Sequence, residues 1–519
     1  MELELQKEQI KTNRKIYSGR TEHIETTEII VPDYLPDVSA VTASQAQINI
    51  KDKSAADDRV TVNGEICFTA LFAAQGGGAP VSVSGRAPFR EIFAVPGAAA
   101  ETTVCVNVSL GQCEARAVNS RKIGFRAVAE IDVGAYEPQV IDVVTGFSSD
   151  IHIETLKISR ELFLFGAYGE KEINLEEDLH LPASKPDASQ LLTYRARLLS
   201  DSVKLISNKA VIKGAAKLVC LYLPEGDGAE PETFESVIPF SLIADIPGVT
   251  ESDEADVSFE VSDVSASLSN DSSGRTFAVS ITACVRVCAY RRTRLESITD
   301  AFSTTHDLEL KKGETAVYSL FEKKAAPVNI RDVISPPEGM TIQRVPDIYY
   351  ELSAFDSSLK AGEIRLSASA DVRALCIGGD GSIFCAQKTL PVNISVAAPE
   401  EKKPEAYAAA PSLELSFNLN MSGELEIRLS GDVWVSVFEN APFSCPVKAG
   451  AEIKPEGEGE LPALYAYFPD RRETVWDIAK RYGAAPEDII GANNLTAGVQ
   501  SAPDAGHMLL IPRMRLSGK

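Results

Sequence analysis

The sequence predicts a mainly β protein in which three β-rich domains of one kind are followed by a small domain with two helices. Most strong apolar runs alternate with polar residues and are separated by Gly, Asp and Pro, which is typical of half-buried strands. A set of features also recurs at a spacing of about 150 residues, which is too long for a solenoid unit and indicates successive domains. We expect each copy to pack as two antiparallel β layers.

The repeat combines a Pro-Asp pair, a strand with a glycine 28 residues after the proline, and a later Pro-Phe pair. The matching positions are Pro36-Asp37, Gly64 and Pro88-Phe89 in the first copy, and Pro186-Asp187, Gly214 and Pro239-Phe240 in the second. Both glycines sit in alternating runs, which indicates that the two strands correspond.

Each copy then closes on an alternating strand that ends in an aromatic residue, at residues 124–136, 276–290 and 425–438. The third copy is more divergent. Its segment 332–334 is interpreted as the match to the Pro-Asp pair, and 364–367 as the strand that has lost its glycine. No Pro-Phe pair is found at the corresponding position of this copy.

These patterns predict five segments along the chain. The stretch before the last domain lacks periodicity and is rich in Gly, Pro and Glu, a composition typical of tethers. The predicted segments are a first β domain at 1–150, a second at 151–302, a third at 303–447, a linker at 448–462 and a small α+β domain at 463–513.

The final domain carries clear helix signals. Thr474 and Asp477 are spaced as a capping box that opens a helix, and Gly483 stands where a left-handed residue would end it. Pro486 can begin a second helix because its missing N–H is not needed in the first turn. The apolar run 509–511, stopped by a proline, predicts a returning strand, so the element order is βααβ.

Composition narrows the classes of function. The chain has 519 residues and a formal net charge of −23, which argues against a nucleic acid or an anionic membrane as partner of the main body. The start, Met1 to Lys15, is charged and polar, and no apolar run approaches the length of a membrane span. We therefore expect a cytosolic protein without an export signal or membrane segment, with its nine cysteines reduced.

No pattern of catalytic or metal-binding residues is found. The five histidines and nine cysteines show no zinc spacing, and neither a nucleophile elbow nor a phosphate-binding loop is present. Gly76-Gly77-Gly78 is interpreted as a hairpin tip. The sequence thus predicts a protein that is not an enzyme, with no catalytic residues, no metal and no cofactor.

The last domain resembles a LysM module, a βααβ domain that usually holds N-acetylated glycans. The resemblance is carried by residues 465–468, 473–483, 486–495 and 506–512. It implies a groove between two loops, at 469–474 and 494–506. The residues that match the family's groove are Thr474, Asn494, Leu495 and Gly506.

The groove departs from the family pattern in ways that bear on its ligand. Arg472 replaces a usual glycine and puts a long cation at the groove mouth, and Glu473 replaces a usual aspartate. A glycan and a protein partner therefore both remain open as ligands. Trp476 is predicted to be an ordinary core aromatic, because its neighbours already face inward.

The three β copies followed by this module resemble the SPOCS-repeat spore-coat morphogenetic proteins of endospore-forming bacteria. The resemblance implies a mother-cell cytosolic protein at the forespore surface, a non-enzymatic scaffold of the spore coat. Its LysM module would dock the morphogenetic ATPase of the coat's basal layer and support attachment and encasement. The alternative is an adaptor that binds peptidoglycan or a lipid-linked glycan.

Overall fold

The computed structural model of the protein describes residues 2–226, 228–269, 274–360, 362–398, 404–454, 463–496, 498–501, 503 and 507–512. These residues form 21 strands and two short helices, so the predicted mainly β fold is confirmed. The elements are β1 (Glu2–Ile30), β2 (Val38–Ala56), β3 (Arg59–Ala74), β4 (Val81–Ala94), β5 (Thr103–Asn119), β6 (Lys122–Ser148), β7 (Glu154–His180), β8 (Ala188–Ile206), β9 (Lys209–Pro224), β10 (Glu232–Asp245), β11 (Glu254–Leu268), β12 (Thr276–Phe302), β13 (His306–Ile334), β14 (Ile342–Leu352), β15 (Asp356–Lys360), β16 (Glu363–Gly378), β17 (Ile383–Ala397), β18 (Glu405–Leu419), β19 (Leu425–Ile453), β20 (Leu464–Tyr467), α1 (Val475–Tyr482), α2 (Pro486–Asn493) and β21 (Leu509–Pro512).

The three copies share one architecture. In each copy the first and last strands are very long and pair antiparallel, β1 with β6, β7 with β12 and β13 with β19. We call each of these strand pairs a hairpin. Its edge is joined by β5, β11 or β18. A separate sheet, β2–β3–β4, β8–β9–β10 or β14–β16–β17, packs against one end of each hairpin. This is the end at which the first long strand stops and the last one begins. We call this two-layer part of each copy a head. The expected two-layer antiparallel packing is therefore confirmed.

Alternation along the closing strands builds the head cores. In β6 every second residue from Ile123 to Ala135 is buried, and Phe125 and Ile131 are among the largest fully buried side chains. Successive residues of a strand point to opposite faces, so one face of β6 meets the second layer while the other is only half buried. The same alternation in β12 and β19 builds the second and third cores.

The repeated glycine and Pro-Phe pair form one structural unit. Gly64 on β3 lies opposite Phe89 on β4, and Gly214 on β9 lies opposite Phe240 on β10. A Cβ atom on Gly64 would come within 2.4 Å of the Phe89 ring. The phenylalanine ring therefore covers the face that the glycine leaves open, and the two residue types are needed together.

The third copy fills the same space with other residues. Ala368 on β16 occupies the glycine position and pairs with Val392 on β17, which again follows a proline, Pro391. A larger residue replaces glycine and a smaller one replaces phenylalanine, so the space is filled with similar total volume. The interpretation of 332–334 as the Pro-Asp match is wrong, because these residues end β13 and the turn to β14 comes later.

We expect Gly214→Ala to destabilise the chain by about 2–3 kcal/mol, because overpacking forces the backbone to shift. The new Cβ would lie 2.2 Å from the backbone oxygen of Leu199 and 2.7 Å from the Phe240 ring. Urea unfolding of the full chain measures the effect. Gly491→Ala is the matched control: no atom lies within 4 Å of its Cβ position in α2, and alanine there gains about 0.5–1 kcal/mol of helix propensity. Equal midpoints for the two variants would contradict the packing of Gly214.

The Pro-Asp pair anchors a turn through an arginine. The Arg121 guanidinium donates to the Asp37 carboxylate at 3.1 Å and to backbone carbonyl oxygens of the β1–β2 turn. Arg275 donates to Asp187 and to carbonyl oxygens of the β7–β8 turn in the same manner. Sequence reasoning missed these arginines, although each directly precedes the closing strand of its copy.

The long hairpins continue beyond the heads into a common stem. Side chains from all six long strands share one apolar core there, which includes Ile10, Val143, Leu164, Val317 and Phe443. Adjacent hairpins also pair with each other, β1 with β19 and β7 with β13. The stem consists of residues 2–15, 137–148, 154–164, 291–302, 306–319 and 439–453.

The aromatic residues that close each copy meet at the junction of stem and heads. Tyr290 and Phe438 have ring centroids 5.8 Å apart, Tyr136 stacks edgewise on Phe165 at 5.1 Å, and Tyr318 lies 4.9 Å from Phe438. We call these five residues the hub. A β-bulge lies opposite each closing aromatic, in β1, β7 and β13. Bulges bend strands, so the predicted strand ends are in fact bends in longer strands.

The predicted boundaries at 150 and 302 fall between β6 and β7 and between β12 and β13. The predicted linker at 448–462 begins too early. Strand β19 continues to Ile453 and remains paired with β13 to its end, because Ile453 lies opposite His306. Residues 455–462 of the predicted linker lie outside the described residues.

Candidate functional site

The C-terminal module, defined here as β20, α1, α2 and β21, has the predicted βααβ order with β20 antiparallel to β21. The Thr474 hydroxyl accepts from the Asp477 backbone N–H at 3.2 Å, and the Asp477 carboxylate accepts from the Thr474 backbone N–H at 3.0 Å. This confirms the capping box. Gly483 ends α1 in the left-handed region with φ 62°, and Pro486 begins α2, both as predicted.

The structure brings the two predicted groove loops together. The backbone N–H of Val475 donates to the Ser501 carbonyl at 3.1 Å, and that of Trp476 donates to the Val499 carbonyl at 2.9 Å. The start of α1 is thereby fixed against the loop that follows α2. The two loops are therefore neighbours at the described residues 498–501, and the groove between them stays a prediction.

The four predicted groove residues have different environments. Thr474 is half-buried and its hydroxyl also serves the capping box. Asn494 is exposed and caps α2 in the left-handed region, with φ 50°. Leu495 is half-buried against the module's apolar core. Gly506 lies outside the described residues.

Charged groups surround the mouth of the predicted groove. Arg472 is exposed, as expected for a cation at the mouth. The Glu473 carboxylate accepts from the Tyr467 hydroxyl at 2.5 Å and forms an ion pair with Arg481. The Tyr467 hydrogen bond, together with Arg481, lowers the pKa of Glu473. Glu473 therefore remains ionised and joins β20, the first loop and α1.

Trp476 is buried, as predicted, but part of its environment comes from the stem. Its ring packs edgewise on Phe302 of β12 with centroids 4.9 Å apart, and its indole N–H donates to the Asp300 carboxylate at 2.9 Å. Lys480 contacts the same carboxylate at 2.7 Å, and Gln500 donates to the Lys157 carbonyl. The module is thus docked on the end of the second hairpin.

Asp300 is the polar centre of this docking contact. Burial by itself raises the pKa of a carboxyl group, but hydrogen bonds from Lys480 and Trp476 outweigh it and lower the pKa of Asp300. The carboxylate therefore remains charged at neutral pH and holds both donors. Sequence reasoning could not find this residue, because nothing in its neighbourhood marks it as a partner of α1.

A second candidate site is a central cavity of about 680 Å³ where the three heads meet above the hub. It is lined by strands of all three copies. Beside it Arg286 donates to Glu260 at 2.6 Å, to the Val106 carbonyl at 2.8 Å and to the Asn107 side chain at 2.6 Å. Lys53 adds a further contact to Glu260 at 3.0 Å. This buried network joins the first head to the second.

The described residues contain no group of three or more His, Cys, Asp or Glu side chains placed to hold a metal ion. Within the same part of the chain, no helix has the length and apolar character needed to cross a membrane.

The fold defines a protein of tandem two-layer β domains built on a shared stem. The family model for the SPOCS domain of SipL matches residues 37–118 and 187–269. The two ranges cover β2 to β5 and β8 to β11, that is, the same part of two heads. In these two ranges the chain carries SipL-like SPOCS repeats, a type of domain related to sporulation and the spore coat. No curated protein and no solved structure matches the chain.

Proposed function

We propose that the protein is a non-enzymatic scaffold of spore-coat assembly that docks the morphogenetic ATPase of the coat's basal layer through its C-terminal module. It acts in the mother-cell cytoplasm at the forespore surface, where it supports attachment and encasement of the forespore by the coat. The single observation that carries the proposal is the pair of SPOCS-domain matches in equivalent parts of two heads.

The architecture suits a scaffold. The three heads share the stem core and the hub, and the ion pairs Lys53–Glu260 and Arg195–Asp347 join neighbouring heads, so surfaces on different heads keep fixed relative positions. In each head the edge strand opposite the closing hairpin carries a proline, at Pro88, Pro239 and Pro391. A proline removes one N–H from the edge and limits uncontrolled strand pairing. We therefore expect partners to bind through side chains of the heads.

The C-terminal module is interpreted as a LysM module because its element order and caps agree with the family pattern. One side of α1 is occupied by the stem through Trp476 and Lys480. Gln500 of the second loop also contacts the stem, at the Lys157 carbonyl. Thr474 and Asn494 are not part of this docking contact, and Arg472 is exposed beside Thr474. This cationic mouth favours a protein partner with acidic side chains over an uncharged glycan.

We expect Thr474→Ala combined with Asn494→Ala to weaken binding of the full chain to the coat ATPase at least tenfold, which corresponds to about 1.4 kcal/mol. The changes remove polar groups from both groove loops. A binding titration between the purified proteins measures the dissociation constant. Retention of the wild-type chain on purified peptidoglycan, without binding to the ATPase, would favour the glycan adaptor and reject ATPase docking.

The same variant also removes a helix cap, so the titration needs a control of matched stability. Gly483→Ala fits, because it strains a left-handed residue at φ 62° by about 1 kcal/mol but no atom lies within 4 Å of its Cβ position. We expect this control to bind the ATPase normally. If it weakens binding as much as the groove variant, the groove assignment fails.

A further inference from the structure

The second head has two broad outer faces that lie back to back. One layer of this head is the sheet β8–β9–β10, and the other consists of β7, β12 and β11. Side chains from both layers form one core. Because successive side chains of a strand alternate between its two faces, the residues between the core positions point away from the head on either side.

One of these outer faces is rich in lysine. Ala210, Ile212 and Ala216 of β9 are buried in the core, so the residues that alternate with them point outwards. Lys204 on β8 is the partner of Val211 in the ladder and therefore points to the same side. We call the outer face of β8–β9–β10 the lysine face, and its exposed lysines are Lys204, Lys209, Lys213 and Lys217.

Exposed apolar side chains lie beside these lysines. On β10, Val237 is 60% exposed and pairs with Lys217, and Ile243 is 55% exposed and pairs with Val211. In the part of the chain that the structure describes, Lys204 and Lys213 form no ion pair. Apolar side chains grouped with charges of one sign favour contact with a protein surface of opposite charge.

The opposite outer face carries a row of carboxylates on β7. Ile173 is buried in the core, so Glu172, Glu176 and Asp178 point away from it, and all three are exposed. No described residue forms an ion pair with these three residues, which we call the acidic stripe. Their neighbours on β12 have small side chains that allow a flat sheet to approach closely, namely Ala278, Ser280 and Thr282.

The two faces match in spacing as well as in sign. The lysines of β9 repeat every four residues from Lys209 to Lys217, and Glu172 and Glu176 of β7 have the same separation. A strand rises about 3.3 Å per residue, so neighbouring charges in both rows are about 13 Å apart. The lysine row of one molecule can therefore lie along the acidic stripe of another with each cation near a carboxylate.

We propose that the second heads of successive copies of this chain associate head to tail, with the lysine face of one copy docked on the acidic stripe of the next. The two faces lie on opposite sides of one head, so two copies cannot satisfy both faces of each other. A contact of this kind continues as an open chain or closes as a ring of several copies.

The charge of the whole chain sets the conditions for this contact. The formal net charge of −23 makes two copies repel each other at long range. At about 0.15 M salt, repulsion between exposed charges is largely screened beyond about 8 Å, so the facing charges decide the outcome.

The size of the lysine face indicates a weak contact. Three strands about 4.8 Å apart, over the eight residue steps from Lys209 to Lys217, give roughly 400 Å² per copy. Stable complexes bury about 800 Å² per partner, so we expect association that depends on protein concentration rather than a permanent oligomer.

Sedimentation velocity of the full chain at about 0.15 M salt tests the proposal. The weight-average mass of the wild-type protein should rise with concentration, from the low micromolar to the sub-millimolar range, and pass that of two copies. Lys204→Glu combined with Lys213→Glu places carboxylates against the acidic stripe, and Glu172→Lys combined with Glu176→Lys places lysines against the lysine face. Each double variant should keep the mass of one copy.

A mixture of the two double variants makes the test specific. In the mixture every contact between unlike copies joins opposite charges, so we expect association to return to at least half of the wild-type extent. Unfolding of either variant could not produce this rescue. Lys11→Glu combined with Lys324→Glu is the matched control, because it changes two exposed lysines of the first and third copies and lowers the net charge equally. This control should associate as the wild-type protein does.

Four results would overturn the proposal. They are a wild-type protein that stays monomeric at every concentration, a mass that levels off at two copies, a mixture without rescue, and a control variant that loses association as the lysine-face variant does. The last result would assign the effect to net charge instead of the lysine face.

Discussion

Replacing Trp476 with alanine is expected to cost about 3–5 kcal/mol and to release the C-terminal module from the stem. Trp476 is only 3% exposed, and its ring fills the space between the core of the module and Phe302. Its loss also leaves the Asp300 carboxylate with one donor fewer. A module of about fifty residues has little stability beyond this amount, so we expect it to unfold while the heads remain intact.

Limited proteolysis of the full chain measures this effect, because an unfolded module is cleaved before the heads. Phe468→Ala is the matched control: this aromatic residue belongs to the same module but is 63% exposed, and its loss should change stability by no more than about 0.5 kcal/mol. A cleavage rate for the Trp476 variant equal to that of the control would show that Trp476 does not anchor the module.

Replacing Arg286 with methionine is expected to destabilise the full chain by about 3–5 kcal/mol and to weaken the contact between the first two heads. Arg286 and Glu260 are both buried, and the substitution removes a cation while leaving the carboxylate. The remaining Lys53 contact compensates only in part. The Val106 carbonyl and the Asn107 side chain lose their donor as well, and burying unpaired polar groups is costly.

Urea unfolding of the full chain, followed by intrinsic fluorescence and by circular dichroism, measures this loss. Arg292→Met is the matched control on the same strand, because its ion pair with Glu254 is exposed and worth less than about 1 kcal/mol. We expect an early transition for the Arg286 variant only. Coincident curves for the two variants would contradict a structural role for the buried pair.

Local signals in the sequence predicted local structure well. The capping box of Thr474 and Asp477, the left-handed Gly483 and the start of α2 at Pro486 are all confirmed. Caps depend on hydrogen bonds within three residues, so the sequence contains both partners. The repeat of Gly64 and Gly214 was likewise found, because the first two copies repeat the same close contact with a phenylalanine.

Signals that depend on distant partners were incomplete. The closing aromatics were noticed, but they were interpreted as strand ends, whereas the strands bend there and continue into the stem. Alternation with a period of two shows which face of a strand is buried. The pattern is the same in a head and in the stem, so it does not show where one ends and the other begins. The early start of the predicted linker at 448 has the same cause, since Gly and Glu also occur in β19 up to Ile453.

The predicted groove lies between these extremes. Thr474 and Asn494 lie on loops that the backbone hydrogen bonds of α1 hold near each other. Leu495, in contrast, is half-buried against the apolar core of the module. Their binding role therefore stays a prediction. The cavity and the Asp300 anchor were missed, because each joins residues that are far apart in the chain.

The sequence by itself determined the β-rich class, the three copies, the glycine and phenylalanine unit of the first two copies, and the helix limits of the last module. Only the tertiary structure decided that the three hairpins share a stem and a hub, and that the module is docked through Trp476. The physical reason is that strand periodicity and caps are set by neighbours along the chain. Contacts between copies depend instead on register and side-chain complementarity across more than a hundred residues, which no local pattern records.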